Sequence, residues 1–255
     1  MFGSHGSLLE YRAALMASHG FVTLALAFFA YKDLPNMLDD LDLEYFIESA
    51  QWLSEHDKVI AGGVGFLGVS FGSMIALKVA SECSLVSAVV GISTLHFLER
   101  PFKYKNRVVG WHGYFDSSKA TITDGSVTTT DCYELDDQLV VANEIEVEDM
   151  KGPVMLLSGE HDGAINASES ARRMITRTSE KGGPKIVHIS YPKTGHLIEP
   201  PFMPMCSVSF HKTFGGRIRW GGEIVEHSAA QEHAWRSALN FLGNNVARKP
   251  PTSRL

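Results

Sequence analysis

Apolar residues follow two alternating patterns along this chain, short continuous runs and longer stretches with helical spacing. The continuous runs predict buried strands, and they lie at 21–31, 64–69, 86–92, 153–158 and 185–191. Apolar residues that recur every three or four positions predict helices at 8–19, 43–56, 71 to about 80, 168–181 and 228–246. Continuously apolar strands that alternate with helices are typical of a mainly parallel sheet with helices on both faces. The pattern therefore predicts an α/β fold.

Two long polar stretches interrupt this alternation, at about 93–150 and about 197–227. Interruptions of this length inside a compact domain are usually functional, so we expect the first to extend over a functional site. At 255 residues the chain is long enough for one large domain with a substantial core. We predict a single domain over residues 1–248 and a flexible tail over residues 249–255.

The second predicted strand runs directly into Gly68-Val69-Ser70-Phe71-Gly72, and a helical pattern begins at once. Strand, Gly-x-Ser-x-Gly and helix in succession form the context of a nucleophile elbow. The two glycines permit a very sharp turn, and the N-terminus of the helix favours developing negative charge. Gly and Ser are also common in ordinary turns, so the pentapeptide alone leaves a purely structural turn open. In this context it predicts that Ser70 is a nucleophile.

A serine nucleophile needs a base, and the base needs an acid that orients it. In α/β-hydrolases the acid and then the histidine follow the serine along the chain, each after a later strand. Asp162 follows the fourth predicted strand in Gly-Glu-His-Asp, and His196 follows the fifth in Thr-Gly-His. We therefore predict a triad of Ser70, Asp162 and His196. A turn-capping role is the alternative for His196, and the rival acids are Glu160, Asp131, Asp136 and Asp137.

The oxyanion that forms during acyl transfer needs two N–H donors. One should be the backbone N–H of Phe71, the residue after the nucleophile, and the other should come from a loop after an early strand. The glycine-bearing loop at residues 3–7 is the candidate, and His5-Gly6 makes Gly6 the predicted donor. An ordinary glycine turn is the alternative reading of this loop.

Composition narrows the class of protein. The net charge of −6 and an isoelectric point near 6.0 argue against general binding to nucleic acid or to membrane surfaces. The three cysteines are widely spaced without a Cys-x-x-Cys pair, which suits a reducing compartment and excludes a disulfide framework or a zinc knuckle. The longest apolar run, at 21–31, is too short to span a bilayer.

Two short basic features remain. Arg100, Lys103, Lys105 and Arg107 form a cluster at the start of the first polar stretch, which predicts phosphate contacts or, alternatively, an ordinary solvated loop. The chain ends in Ser253-Arg254-Leu255, which keeps the small, basic, leucine pattern of the peroxisomal address Ser-Lys-Leu. The tail therefore predicts an import receptor as a partner and the peroxisome as the location, with the cytoplasm as the alternative.

Several stretches together resemble the type I acyl-CoA thioesterases and bile acid-CoA:amino acid N-acyltransferases, in their C-terminal hydrolase domain. The resemblance covers most of the chain and is weakest at about 100–148. The stretches that carry it are FGSHGSLLEYRA (2–13), GVSFG (68–72), GEHD (159–162), YPKTGHLIEPPFMP (191–204) and WGGEIVEHSAAQEHAW (220–235).

The resemblance implies an α/β-hydrolase fold and hydrolysis of fatty acyl-CoA to free acid and CoA, without metal or redox cofactor. Ser70, Asp162 and His196 fall on the family's triad. Members that transfer acyl groups to glycine or taurine typically have Cys at the elbow, so Ser70 favours hydrolysis. N-acyl transfer and a non-catalytic acyl-CoA-binding form remain the alternatives.

The chain also departs from the family pattern. It starts inside the family's FG loop, so we expect the N-terminal β-sandwich domain and the first strands of the hydrolase sheet to be absent. The strand that leads into Phe2 would lie between the predicted strands at 21–31 and 64–69. Without it, we expect both of those strands to present unpaired backbone groups.

Overall fold

The structure is a computed structural model, which describes residues 1–111, 115–133 and 135–246. Six α-helices lie in these ranges: α1 Tyr11–Ser18, α2 Leu43–Ser54, α3 Phe71–Glu82, α4 Gln138–Ala142, α5 Ala167–Lys181 and α6 Ile224–Asn245. Ten strands are described: β1 Val64–Val69, β2 Val86–Ile92, β3 Phe102–Tyr104, β4 Arg107–Val109, β5 Thr121–Thr123, β6 Ser126–Thr128, β7 Val154–Gly159, β8 Ile186–Tyr191, β9 Val208–His211 and β10 Gly216–Arg219.

The main sheet has the strand order β1-β2-β7-β8, and every pair in it is parallel. Its two faces carry separate hydrophobic cores because successive side chains of a strand point to opposite faces. Val154 and Leu156 pack with α2, α3 and α5, whereas Met155 and Leu157 pack with α6. The predicted parallel sheet with helices on both faces is therefore confirmed.

Two smaller sheets come from the polar stretches. β3 and β4 form a hairpin, and a second sheet has the order β5-β6-β10-β9, which joins the two stretches through one parallel bridge between Val127 and Ile218. The sequence indicated only irregular structure here. Strands of three or four residues are too short for a two-residue alternation to be recognised, which explains the difference.

The predicted strand at 21–31 is not a strand in the structure. The described residues contain no ladder partner for this run, and a strand is defined by its hydrogen-bonded neighbour. The run keeps its apolar character, since Phe28 and Phe29 are each only 4% exposed and belong to the core beside α2. The prediction of a buried run holds only for residues 27–29, since Val22 and Leu24 are 39% and 37% exposed, and within the described residues the run has no strand partner.

The first residue occupies the edge of the main sheet. The N-terminal ammonium of Met1 donates to Leu67 O at 2.6 Å, and Val69 N donates to Met1 O at 3.2 Å. Met1 thus donates to one residue of β1 and accepts from the residue two positions further along, which is the hydrogen-bond pattern of parallel strands. Residues 1–3 therefore run beside the end of β1, and this position brings the loop that follows them to the elbow.

Candidate active site

Ser70 stands at the sharp turn between β1 and α3. Its φ and ψ are 55° and −127°, a strained region for a residue with a side chain. A side-chain carbon added at Gly68 would lie 2.4 Å from Gly72 O, and one added at Gly72 would lie 2.3 Å from Phe2 O. Only glycine fits at these two positions, because the backbone of α3 lies against Gly68 and the backbone of the N-terminal segment lies against Gly72. The turn has the geometry of a nucleophile elbow.

His196 and Asp162 form a buried pair after β8 and β7. His196 Nδ1 lies 2.7 Å from Asp162 Oδ2, and the side chains are 1% and 2% exposed. The other carboxylate oxygen of Asp162 accepts from Ala164 N at 2.8 Å and from Ile165 N at 3.0 Å. These backbone donors fix the carboxylate, and the carboxylate orients the imidazole so that Nε2 is the nitrogen left for proton transfer.

The end of β2 connects the elbow to the histidine loop. Ser70 N donates to Ile92 O at 2.8 Å, and Ser93 Oγ donates to His196 O at 2.7 Å. The imidazole of His196 is also stacked on Trp220, with ring centroids 5.3 Å apart and planes at 20°. The sequence analysis did not assign Trp220 a role at the site, because an aromatic stack between two loops leaves no periodic signal.

The rival acids are either exposed or bound to residues other than His196. Glu160 is exposed and accepts from Ser190 Oγ at 3.1 Å, and Asp136 pairs with Arg173 at 2.7 Å. Asp137 caps the start of α4 by accepting from Leu139 N at 2.8 Å. Asp131 is exposed in a turn. Of the five candidate acids, Asp162 is the one that contacts His196.

The glycine-bearing loop reaches the elbow through Gly3 rather than Gly6. A side-chain carbon added at Gly3 would lie 3.1 Å from Ser70 Cβ and 3.4 Å from Ser70 Oγ. At Gly6 the same carbon would lie 2.8 Å from Ala30 Cβ, so Gly6 packs against the 28–30 region. The backbone around Gly3 is therefore the part of this loop beside the candidate nucleophile.

The hairpin of β9 and β10 holds this loop in place. His211 Nε2 lies 3.0 Å from Ser4 Oγ, and Thr213 Oγ1 donates to Ser4 O at 2.9 Å. His211 is 3% exposed, and burial, with smaller contributions from His5 and His196, lowers its pKa to about 4. A neutral His211 can share one hydrogen with the Ser4 hydroxyl in either direction. The sequence analysis missed this residue because it lies more than 200 positions from the loop that it contacts.

Glu99 is a second partly buried acid, and it contacts another part of the first polar stretch and α3. Tyr133 from the first polar stretch donates a hydrogen bond to Glu99 Oε2, and Glu99 N donates to Met74 Sδ at 3.4 Å. Burial raises the pKa of Glu99, and the Tyr133 hydroxyl, Arg100 and His196 offset part of that effect. The excursion of residues 93–150 over the site stays a prediction, and Tyr133 is a residue of that stretch that contacts Glu99.

Arg12 links the opening helix to the histidine loop. Its guanidinium donates to both carboxylate oxygens of Glu199, with Nε 2.9 Å from Oε2, and Tyr11 donates to the same carboxylate at 2.8 Å. The side chains of Arg12 and Glu199 are 8% and 12% exposed. The Arg12 guanidinium also lies 4.6 Å from the ring centroid of Phe2. One buried cluster therefore joins residues 2–12 to the segment that carries His196.

Two of the four residues of the basic cluster, Arg100 and Lys103, lie beside acidic side chains. Arg100 pairs with Asp39 at 2.9 Å, and Lys103 lies 3.8 Å from Asp40. Lys105 lies over the Tyr104 ring at 4.5 Å, and the exposed Arg107 begins β4. Phosphate binding by these four residues stays a prediction.

Within the ranges that the structure describes, no three or more His, Cys, Asp and Glu side chains are grouped so as to hold a metal ion. The same ranges contain no helix with the length and apolar character required to cross a bilayer. Ser253, Arg254 and Leu255 of the predicted address lie outside the described residues.

Comparison with known proteins identifies related sequences. Residues 41–248 match the family model described as BAAT / Acyl-CoA thioester hydrolase C terminal. The chain is 36% identical over 251 residues to the peroxisomal succinyl-coenzyme A thioesterase of Mus musculus. It is 37% identical over 250 residues to the bile acid-CoA:amino acid N-acyltransferase of Homo sapiens and 36% identical over 250 residues to acyl-coenzyme A thioesterase 1 of Homo sapiens. Each match covers 96% of this chain and 59% of the relative, so the chain spans about three fifths of those proteins.

A solved structure gives the same fold. An esterase of Pyrococcus furiosus superposes with a TM-score of 0.56 at 14% identity, covering 97% of this chain and 82% of that one. At 14% identity the similarity establishes only the fold. The α/β-hydrolase fold expected from the sequence is confirmed.

Proposed function

Because this chain belongs to the family of BAAT and acyl-CoA thioester hydrolases, through their C-terminal domain, we propose that it hydrolyses fatty acyl-CoA to free fatty acid and CoA in acyl-CoA metabolism. The observation that carries the proposal is the strained Ser70 elbow together with a buried His196–Asp162 pair, to which the end of β2 connects it. Relatives named as thioesterases of acyl-coenzyme A and succinyl-coenzyme A support a CoA thioester as substrate.

The proposed reaction has two acyl-transfer steps. His196 Nε2 takes the proton of Ser70 Oγ as this oxygen bonds to the thioester carbonyl carbon. The oxyanion accepts hydrogen bonds from Phe71 N–H and from a backbone N–H of the loop around Gly3, which we prefer to Gly6 because of its position beside Ser70. The carbon–sulfur bond then breaks, and CoA leaves as a thiol with the proton from His196. Water resolves the acyl-serine ester by the same route, and His196 acts first as base and then as acid.

The experiment that tests the proposal labels the nucleophile. The full chain is treated with a fluorophosphonate, the modified peptide is identified by mass spectrometry, and release of CoA thiol is followed in parallel. We expect labelling at Ser70 and loss of both labelling and thiol release in Ser70→Ala, by several orders of magnitude in rate. Ser73→Ala is the matched control, because Ser73 is buried one turn along the same helix. Labelling elsewhere, or full activity in Ser70→Ala, excludes the mechanism.

Transfer of the acyl group to an amino acid is the second candidate. Several relatives of 35–37% identity are named as N-acyltransferases. Addition of glycine or taurine to the assay separates the two reactions, because a transferase yields the acyl amide in place of free acid. We propose hydrolysis as the main reaction because an acyl-serine ester is an intermediate that water readily resolves. Binding of acyl-CoA with neither product would indicate a non-catalytic form.

Peroxisomal location is part of the proposal, with the cytoplasm as its alternative. The name of the mouse relative and the terminal Ser253-Arg254-Leu255 support it. A fluorescent protein fused ahead of the chain should enter peroxisomes through an import receptor and should remain cytoplasmic after removal of the three terminal residues. Equal distributions of the two fusions would exclude a role for this tripeptide.

A further inference from the structure

His227 lies at the end of the first turn of α6, and its side chain reaches the loop that carries His196. Its imidazole is buried, with 1% exposure, and its backbone N–H donates to Glu223 O at 2.8 Å, as in a regular helix. α6 itself packs against the main sheet, because Ala230 and Ala234 belong to the hydrophobic core on that face. The imidazole therefore projects from an element whose position is fixed by the sheet.

Both ring nitrogens of His227 bond to the backbone on either side of His196. Gly195 N donates to Nδ1 at 3.0 Å, and Nε2 lies 2.9 Å from Leu197 O. A backbone N–H can only donate and a carbonyl oxygen can only accept, so Nδ1 is the acceptor and Nε2 carries the hydrogen. One side chain from a separate element thus holds the residues directly before and directly after the proposed base.

This pair of bonds requires a neutral ring. A proton on Nδ1 would face the N–H of Gly195 and remove the acceptor that this N–H uses. Burial lowers the pKa of His227, and the carbonyl of Leu197 and the carboxylate of Glu199 offset part of that effect. Since the ordinary pKa of histidine is already below neutrality, the ring is neutral at pH 7 and holds the loop through hydrogen bonds rather than through charge.

Gly222 shows how closely the His227 ring approaches the loop. A side-chain carbon added at Gly222 would lie 2.8 Å from His227 Nδ1 and 2.7 Å from Gly195 N, and the φ of Gly222 is 91°. Only glycine fits beside this hydrogen bond. The backbone of the loop is held as well at His196 itself, whose N–H donates to Trp220 O at 2.8 Å. The starting point of the His196 side chain is therefore fixed, and its ring reaches Asp162 from there.

We propose that His227 is a positioning residue, which holds the loop at Gly195 and Leu197 so that the imidazole of His196 stays aligned on Asp162. The inference rests on the proposed function, because that function makes His196 the base. His227 acts through the backbone of the loop rather than on the substrate. A displacement of about 1 Å at a reacting group can cost about 10²-fold in rate, so a bracket of this kind matters for catalysis.

A buried histidine that merely satisfies two backbone groups is the alternative. Its loss would lower stability, and activity would fall only as far as the folded fraction falls. Positioning predicts in addition a change at His196 in molecules that are still folded.

The test compares variants of the full chain that differ in which bond survives. His227→Phe keeps a ring of similar size but has neither bond, His227→Asn keeps an acceptor near the place of Nδ1, and His227→Gln keeps a donor near the place of Nε2. The first readout is the NMR signal of the hydrogen between His196 Nδ1 and Asp162, recorded with isotope-labelled histidine and without substrate. We expect this signal to move upfield and broaden in His227→Phe and to return part of the way in the other two variants.

The second readout is the rate at which a fluorophosphonate labels Ser70. It should fall about 10²-fold in His227→Phe and about tenfold, half of that loss on a logarithmic scale, in His227→Asn and His227→Gln. Urea unfolding of the same samples gives the folded fraction. The matched control is Gln231→Met, because Gln231 is 3% exposed and lies one turn further along the same helix. Both readouts should be unchanged in this control.

An unshifted His196 signal, with labelling reduced only in proportion to the unfolded fraction, overturns the proposal, and so does an equal change in Gln231→Met. If His227→Phe does not fold, His227→Asn and His227→Gln decide by the same criteria. The NMR readout involves no turnover. A chain that releases no CoA would therefore contradict the proposed thioesterase reaction, while the role of His227 in aligning His196 would still be decided by the signal.

Discussion

Replacing Arg12 by Met should destabilise the protein far more than replacing a comparable arginine at the surface. Arg12 and Glu199 are 8% and 12% exposed and share two hydrogen bonds. Removing one partner of a buried ion pair leaves the other charge buried and costs roughly 3–5 kcal/mol. Tyr11 still donates to Glu199 in the variant, so we expect the lower end, about 3 kcal/mol.

Urea unfolding followed by circular dichroism measures this loss. With a slope of about 2–3 kcal/mol per molar urea, the midpoint should fall by about 1 M or slightly more. The matched control is Arg172→Met, since Arg172 is 65% exposed in its pair with Glu169. Exposed pairs contribute about 0–1 kcal/mol, so the control should scarcely move the midpoint.

A double-mutant cycle isolates the interaction between the two side chains. Arg12→Met, Glu199→Gln and the double variant should give a coupling energy of about 1.5–3 kcal/mol, because each single change leaves the other partner uncompensated. If Arg12→Met loses no more stability than Arg172→Met, or if the cycle shows no coupling, the reasoning from burial is refuted.

Three further predictions concern the N-terminus, the acid and the loop. Because the pKa of the Met1 amine is lowered from 8.0 to about 5, the unfolded chain binds more protons between these values and stability rises with pH. In urea titrations the free energy of unfolding should rise by roughly 1 kcal/mol from pH 7 to 8. N-terminal acetylation should abolish this rise. A pH dependence that acetylation leaves unchanged would show that the amine is not buried. If the proposed hydrolysis holds, Asp162→Asn should lower kcat by about 10⁴-fold because His196 loses its orienting acceptor, with an unchanged unfolding midpoint; a tenfold effect would point to another acid. His211→Ala should lower kcat/KM by about 10²-fold through displacement of the Ser4 loop, with partial rescue by His211→Gln, and a change confined to stability would contradict the positioning role.

The features predictable from sequence were those set by neighbouring residues. The elbow needs only a strand, two glycines around Ser70 and a helix, all within nineteen positions of one another, and the structure has each of them. Asp162 could be ordered relative to Ser70 and His196 but not separated from Glu160 by local sequence. The separation depends on which carboxylate receives the backbone N–H groups of Ala164 and Ile165.

The features that escaped prediction depend on distant neighbours. The run at 21–31 has the composition of a strand, but strand formation also requires an adjacent backbone, and composition carries no information about that. Gly3 and Gly6 look equivalent in sequence, and only the path of residues 1–3 along β1 brings Gly3 to Ser70. The stack of Trp220 on His196 likewise depends on how two separate loops meet.

The contacts of Ser4 with His211 and Thr213 also constrain the order of folding. These bonds join residues 207 and 209 positions apart. During synthesis the loop beside Ser70 therefore gains its anchor only after more than 200 further residues have been made. Contacts of such long sequence separation form slowly, because their closing entropy is lost before they stabilise the fold. The loop beside the proposed nucleophile should be among the last parts of the site to become ordered.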